Sequence, residues 1–301
     1  MDSTIRIGAR ASALALAQAN LVADELRKTG QRVEIVEVAK PGALPDALLN
    51  KQVDVIVRSY KGLPIAAVPG IVLAAVPTRA DPRDALVARD GLTLGELPPG
   101  ATVGTGSARR IAQLRALGLG LELVPVRGDI QTRAGKVAAG ELDAVVLARA
   151  GLARMDSLDL ITETLDPIQL LPAPAQGALA VQCRVDDVDV EHLLRSTVDD
   201  ESTRVAVTAE RAMLAALEAD RGAPVGALAE VVEDLDADGA VLERISLRGA
   251  AAAGFDIETA DMLRASAIAE KHEAEKLGRE LAAELLDLGA GALSGPGRTQ
   301  H

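Results

Sequence analysis

Short apolar runs ending in polar turns, with longer stretches of helical spacing between them, recur along most of the chain. Ile5-Arg-Ile-Gly8 predicts a strand, and Ala13–Leu26 a helix with Ser12 as its N-cap and Gly30 as its stop. A second strand is expected over Arg32–Ala39 and a short helix between Lys40 and Asn50. The run Val53-Asp-Val-Ile-Val57 then predicts a buried strand that breaks at the polar turn Arg58-Ser-Tyr-Lys-Gly-Leu-Pro64. This alternation of strand and helix argues for a mostly parallel sheet covered on both faces, whose ligands bind at the rim where the strands end.

After a strand at Ile71–Val76, the Pro-punctuated stretch Thr78–Asp84 reads as a crossover between domains. A second α/β unit follows. Ala101–Ser107 is a strand breaking into a small-residue turn, and Ala108–Leu117 is a helix. Backbone amides there, with Thr105, Ser107, Arg109 and Arg110, fit an anion site, and equally fit ordinary capping beside a solvated Arg pair. Strands at Leu121–Val126 and Leu142–Leu147 lead into Arg127–Arg133 and Ala148–Arg154. Arginines or hydroxyls at three successive strand ends suggest a cluster that grips carboxylates or phosphates. Leu170–Gly177 is a rigid Pro-punctuated return, and Ala178–Gln182 is expected to rejoin the first sheet. Glu201–Ala219 reads as a long helix, followed by a smaller module with strands at Ala227–Val232 and Ala240–Leu247, a helix from about Glu270 to Leu288, and a frayed tail from Ser294.

Composition narrows the function classes. The 301 residues are 49% hydrophobic and 25% charged, enough for two or three globular domains. Aromatic content is 1%, with Tyr60 and Phe255 its members, so the cores are built from Ala, Val, Leu and Ile. A net charge of -12 disfavours nucleic acid or an anionic membrane as a bulk partner, so a bound anion must be held by a local cluster. No apolar run reaches membrane-spanning length and no signal peptide pattern precedes the first strand; the expectation is a cytoplasmic protein. The single cysteine, Cys183, lies in a strand-like run and reads as a small buried hydrophobe. His192, His272 and His301 share no metal-ligand spacing.

Several blocks in order resemble the porphobilinogen deaminase (hydroxymethylbilane synthase) family of tetrapyrrole biosynthesis. They are Arg6-Ile-Gly-Ala-Arg10 with Ser12, Asp81-Pro-Arg-Asp-Ala85, Val103–Arg110, Val126-Arg-Gly-Asp129 with Thr132-Arg133, Leu171–Ala178, Thr208-Ala-Glu-Arg211 and Pro224-Val-Gly226. The resemblance implies an α/β fold of three domains: residues 1–77 with 178–196, residues 83–171, and a small α/β C-terminal domain over 200–301. It implies that the first two resemble a type II periplasmic binding protein with the site in their cleft.

The resemblance also marks three departures. The family's His-Ser-x-Lys-Asp-x-Pro block, whose Asp assists loss of ammonia, reads Arg58-Ser59-Tyr60-Lys61-Gly62-Leu63-Pro64 here, with Gly62 at the Asp position. The family attaches a dipyrromethane cofactor to a Cys, and Arg221 stands there instead. A Gly-Lys-rich segment that covers the family's cleft is reduced to Lys40–Gln52. From these the expectation is no catalytic carboxylate and no bound dipyrromethane. What the resemblance leaves is a substrate-binding set: Arg10, Ser12, Arg58, Lys61, Thr105, Ser107, Arg109, Arg110, Arg127, Arg133, Arg154 and Gln176. Three readings stay open: a degenerate deaminase binding a carboxylated pyrrole, tetrapyrrole or other polyanion; an enzyme with altered, cofactor-independent chemistry; or a non-enzymatic partner of a tetrapyrrole enzyme.

Overall fold

The computed structural model describes residues 4–39, 42–219, 222–235, 239–253 and 261–290. The chain divides into two compact units, Met1–Ala80 with Gly177–Arg204, and Asp81–Gln176 with Val205–His301.

In the first unit, β1 (Ile5–Arg10) leads into α1 (Ala13–Lys28), then β2 (Val33–Val38), α2 (Leu44–Leu49), β3 (Val55–Ser59) and β4 (Ile71–Ala75). The Ser12 hydroxyl caps α1 by accepting from the Ala15 amide at 3.4 Å, and Gly30 takes a positive φ of 86° just past its end. Strands β1, β2 and β3 pair in parallel, with Ile7 opposite both Ile35 and Val55. One face of this sheet buries Ile7, Val55 and Val57 against Ala19, Val22 and Leu26 of α1. The opposite face covers α2, whose Leu44 and Leu48 pack on Val53 and Ile56.

The segment around α2 is anchored by a buried arginine. Arg184 Nη1 donates to the carbonyls of Leu48 (3.1 Å) and Val53 (2.8 Å), while Nη2 pairs with Asp187 at 2.5 Å and Asp54 at 3.5 Å. Asp54 is also gripped by Arg6 at 2.8 Å.

In the second unit, β5 (Asp84–Ala88) precedes β6 (Thr102–Gly104), α3 (Ala108–Ala116), β7 (Glu122–Val124), α4 (Ile130–Ala138), β8 (Ala144–Ala148), α5 (Arg149–Arg154) and β9 (Glu163–Thr164). The chain then returns to the first unit through β10 (Leu179–Arg184) and α6 (Val188–Val198), and continues as α7 (Glu201–Ala216). The last sheet is β11 (Val225–Leu235), β12 (Val241–Ala252) and β13 (Met262–Glu270), antiparallel throughout and closed by α8 (Ala274–Asp287).

The two five-stranded sheets share one plan. The first runs β2-β1-β3-β10-β4 and the second β7-β6-β8-β5-β9. Each has three parallel strands, then one antiparallel strand, then an edge strand. With its alternating strands and helices, this is the α/β class the sequence predicts, carrying an α/β C-terminal module.

The structure adds elements that the pattern reading lacks: β5, α5, β9, α6 and β13. Residues read as a crossover, Thr78–Asp84, end inside β5, because Asp84 is fully buried among its own partners. The C-terminal helix starts at Ala274 rather than Glu270, since Met262–Glu270 extends as a strand and Lys271–Glu273 form a single 3₁₀ turn.

Candidate functional site

In the first unit, β1 and β3 run side by side in parallel, so the segments leaving them share one rim of the sheet. Arg10 stands exposed at the end of β1, followed by Ser12, whose hydroxyl is taken up in capping α1. Beyond β3, Tyr60–Gly62 form a 3₁₀ turn, fixed to β10 by the Tyr60 amide donating to the Ala178 carbonyl at 3.0 Å. Arg58 and Lys61 are half-buried in this region. Gly62 does not use glycine's special freedom: its φ lies outside the left-handed region, and a Cβ built on it meets nothing within 4 Å.

In the second unit, β7, β6 and β8 are parallel neighbours, with Gly104 paired to both Val124 and Val145. The loops carrying Thr105 and Ser107, Arg127 to Asp129, and Arg149 therefore leave the same rim. Ser107 precedes α3 in extended conformation, and its hydroxyl makes no capping bond. Arg127 is exposed. Arg133 projects from α4 and donates from Nε to the Gly128 carbonyl at 2.8 Å; burial and the neighbouring Arg110 lower its pKa. Burial alone lowers Arg154, at the end of α5, to about 10.

Three residues of the expected binding set are turned inward. The Asp84 carboxylate accepts from Arg109 Nη2 at 2.7 Å, from Arg110 Nη2 at 2.7 Å and from Gln176 Nε2 at 2.8 Å. Arg109 Nη1 donates to the Leu171 carbonyl, Arg110 Nη1 to that of Val146 (2.7 Å), and Gln176 also to that of Pro82 (2.7 Å). Most donors of Arg109, Arg110 and Gln176 serve the fold, drawn in by a carboxylate that the sequence reading placed in a crossover. Thr105 is likewise buried, its hydroxyl accepting from the Ser107 amide at 3.3 Å.

The cluster is not electrically balanced. Among the described residues two buried guanidinium groups share one buried carboxylate, and the Nε of each arginine is itself buried with no acceptor. Burial by itself pushes Asp84 up, but Arg109 and Arg110 outweigh it and hold the carboxyl well below the ordinary range.

Asp84 is the residue that reading the sequence missed. Its signal was an acid placed directly against the apolar run Ala85-Leu-Val-Ala88.

Cys183 is buried in β10, and burial first, then Glu191 and Asp187, push its thiol up to about 12. It is no nucleophile at neutral pH. Arg221 lies outside the described residues. Among the described residues no group of His, Cys, Asp and Glu is arranged to hold a metal ion, and no helix is long and apolar enough to cross a membrane.

Comparison with known families settles the ancestry of these elements. The model of the porphobilinogen deaminase dipyromethane cofactor binding domain matches residues 5–43 and 41–192, and that of the porphobilinogen deaminase C-terminal domain matches 204–287. The chain belongs to the porphobilinogen deaminase family. Proteins named porphobilinogen deaminase from Nocardia farcinica and Mycobacterium tuberculosis are each 54% identical over 303 residues, 95% of this chain and 86% and 97% of theirs. One from Mycobacteroides abscessus is 54% identical over 308 residues, covering 97% of this chain and 99% of its own. Among solved structures, that of the methionine binding protein MetQ aligns with 64% of this chain and 89% of its own at a TM-score of 0.43 and 14% identity.

Membership overturns one expectation. The domain spanning most of residues 5–192 is a dipyromethane cofactor binding domain by its match, so the absence of that group, inferred from Arg221 alone, does not stand. Arg127, exposed at the end of β7, and the half-buried Arg133 fit the carboxylates such a group carries, whereas the sole cysteine, buried in β10, fits no thioether link.

Proposed function

We propose that this porphobilinogen deaminase family member holds a dipyrromethane-class polycarboxylate without a thioether bond, and turns over porphobilinogen far more slowly than a family member with its carboxylate intact. The observation that carries the reading is the match of residues 5–43 and 41–192 to a dipyromethane cofactor binding domain in a chain whose sole cysteine is buried in β10. Ser107, Arg127 and Arg133, on one sheet rim, supply donors for acetate and propionate groups. When bound, the dipyrromethane serves as the primer on which pyrrole units are added. This chain's residues bind and orient its acid groups.

Slow turnover is supported by Gly62. A preorganised carboxylate facing a developing cation is worth ~3 kcal/mol, or about 10² to 10³ in rate, and the 3₁₀ turn here carries none at that position. The shortened segment around α2 supports the same reading, since less chain is present to exclude water over the rim.

Intact-mass measurement after incubation with porphobilinogen tests both parts. Under native conditions the chain is expected to carry a pyrrole adduct that is lost on denaturation, while ammonia release stays at least ~10²-fold below that of a family enzyme. An adduct that survives denaturation, or no adduct under either condition, would overturn the non-covalent reading.

A further inference from the structure

Three large aliphatic side chains stand in solvent at one end of the first unit, where its two cores do not use them. Leu49 (41% exposed) closes α2, whose packing is done by Leu44 and Leu48. Val185 (59%) lies in the turn after β10, and Val188 (68%) opens α6, whose core contacts are Val190, Leu193, Leu194 and Val198. Leu49 and Val185 meet at Gly70: the Val185 amide donates to the Gly70 carbonyl at 3.0 Å, and a Cβ built on Gly70 would lie 3.0 Å from Leu49 Cδ2. Gly70, at a φ of 81°, carries no side chain to cover either. Because β10 runs antiparallel to β3, with Cys183 opposite Val55 and Leu179 opposite Ser59, Val185 lies at the end of the sheet away from the rim that holds Arg58 and Lys61.

The same turn is acidic. Residues 185–191 read Val-Asp-Asp-Val-Asp-Val-Glu, four acids and no base. Asp187 is taken up by Arg184 at 2.5 Å, but Asp186 approaches that arginine only to 4.0 Å with its side chain 70% exposed. Asp189 is exposed and makes no ion pair among the described residues. Asp46 and Lys51, both exposed around Leu49, offset one another. Exposed aliphatic groups gain free energy only when something covers them, and exposed like charges gain from an opposite charge, so a surface carrying both is complementary to a segment that presents aliphatic and cationic groups together. We infer that this end of the first unit is a docking surface for a partner protein's amphipathic segment, one in which leucine or valine at helical spacing is flanked by lysine or arginine. Its aliphatic side chains seat on Leu49, Val185 and Val188 across Gly70, and its cations face Asp186 and Asp189.

A fluorescein-labelled Leu/Lys peptide of about four helical turns, titrated into the full chain and read by anisotropy, tests this. Two control peptides of the same length replace Lys by Glu, or Leu by Ser. The Leu/Lys peptide is expected to bind, and each control to bind at least ~10-fold more weakly. Leu49→Ser combined with Val188→Ser should weaken the Leu/Lys peptide by about 10-fold, and Asp186→Asn combined with Asp189→Asn by about threefold with a flatter dependence on salt. All four positions are exposed, so the variants are expected to keep the wild-type urea midpoint. A wild type that ignores the Leu/Lys peptide overturns the inference. So does a Ser/Lys peptide that binds equally well, or a Leu49→Ser, Val188→Ser protein that binds like the wild type, since either reduces the effect to bulk attraction by an acidic protein. A wild-type dimer in sedimentation velocity that Val188→Asp dissociates overturns it as well, because the surface then belongs to a second copy of this chain.

Discussion

A side chain introduced at residue 62 would stand in open space, on a backbone that any L-residue can adopt. Gly62→Asp is therefore expected to fold with a stability within about 0.5 kcal/mol of the wild type. It is also expected to raise ammonia release from porphobilinogen by about 10². Chemical denaturation and a continuous ammonia assay check the two halves. No rise in a well-folded variant would count against the role proposed for residue 62. At residue scale the placement was partly legible: Arg10, Arg127 and the turn Tyr60–Gly62 do stand at strand ends, as the pattern predicts. The direction in which Arg109, Arg110 and Gln176 point was not, because Asp84 lies more than twenty positions before the arginines and some ninety before Gln176. Only folding brings them together.

Among the elements, α1 and β3 were legible and β13 was not. α1 announced itself by its apolar spacing and Ser12, and β3 by its β-branched run. β13 reads Met-Leu-Arg-Ala-Ser-Ala-Ile-Ala-Glu, and alanine contributes little strand preference, so its alternation is visible only beside β12. The packing of α8 on α7 depends on a residue no pattern singles out. A Cβ at Gly278 would lie 2.3 Å from the Ala209 carbonyl oxygen and 2.7 Å from the Ala212 Cβ. Helix propensity favours alanine over glycine by about 1 kcal/mol, but the clash with backbone is stiffer. Gly278→Ala is expected to destabilise by a net ~1–3 kcal/mol in urea unfolding. A stabilised variant would mean that the two helices separate at little cost.

At the scale of the whole molecule, the balance of -12 charges sits on a frame in which several acids are paired with arginine. Asp84 is held down by Arg109 and Arg110 against the opposing effect of burial, Asp54 similarly by Arg6, and Asp81 by Arg83. For each, the folded pKa lies below the unfolded one, so its stabilisation is complete above the unfolded value, near 4, and is lost as pH falls through the folded value. Stability is expected to hold from pH 7 to about 5 and to fall progressively below pH 4. In Asp84→Asn the acid limb should be shallower, as urea midpoints between pH 3 and 7 would reveal. An unchanged limb would show that Asp84 titrates alike in both states.

The plan shared by the two five-stranded sheets also fixes an order of events during synthesis. In the second sheet all strands lie between Asp84 and Thr164, a continuous stretch. In the first, β10 is inserted between β3 and β4 but is encoded after the whole of that stretch. On a ribosome that releases the chain from its amino end, β1 to β4 emerge early yet cannot close their sheet until Arg184 is out. The sheet translated second is the first whose strands are all available, and the edges of β3 and β4 that β10 covers stay unpaired until β10 is made.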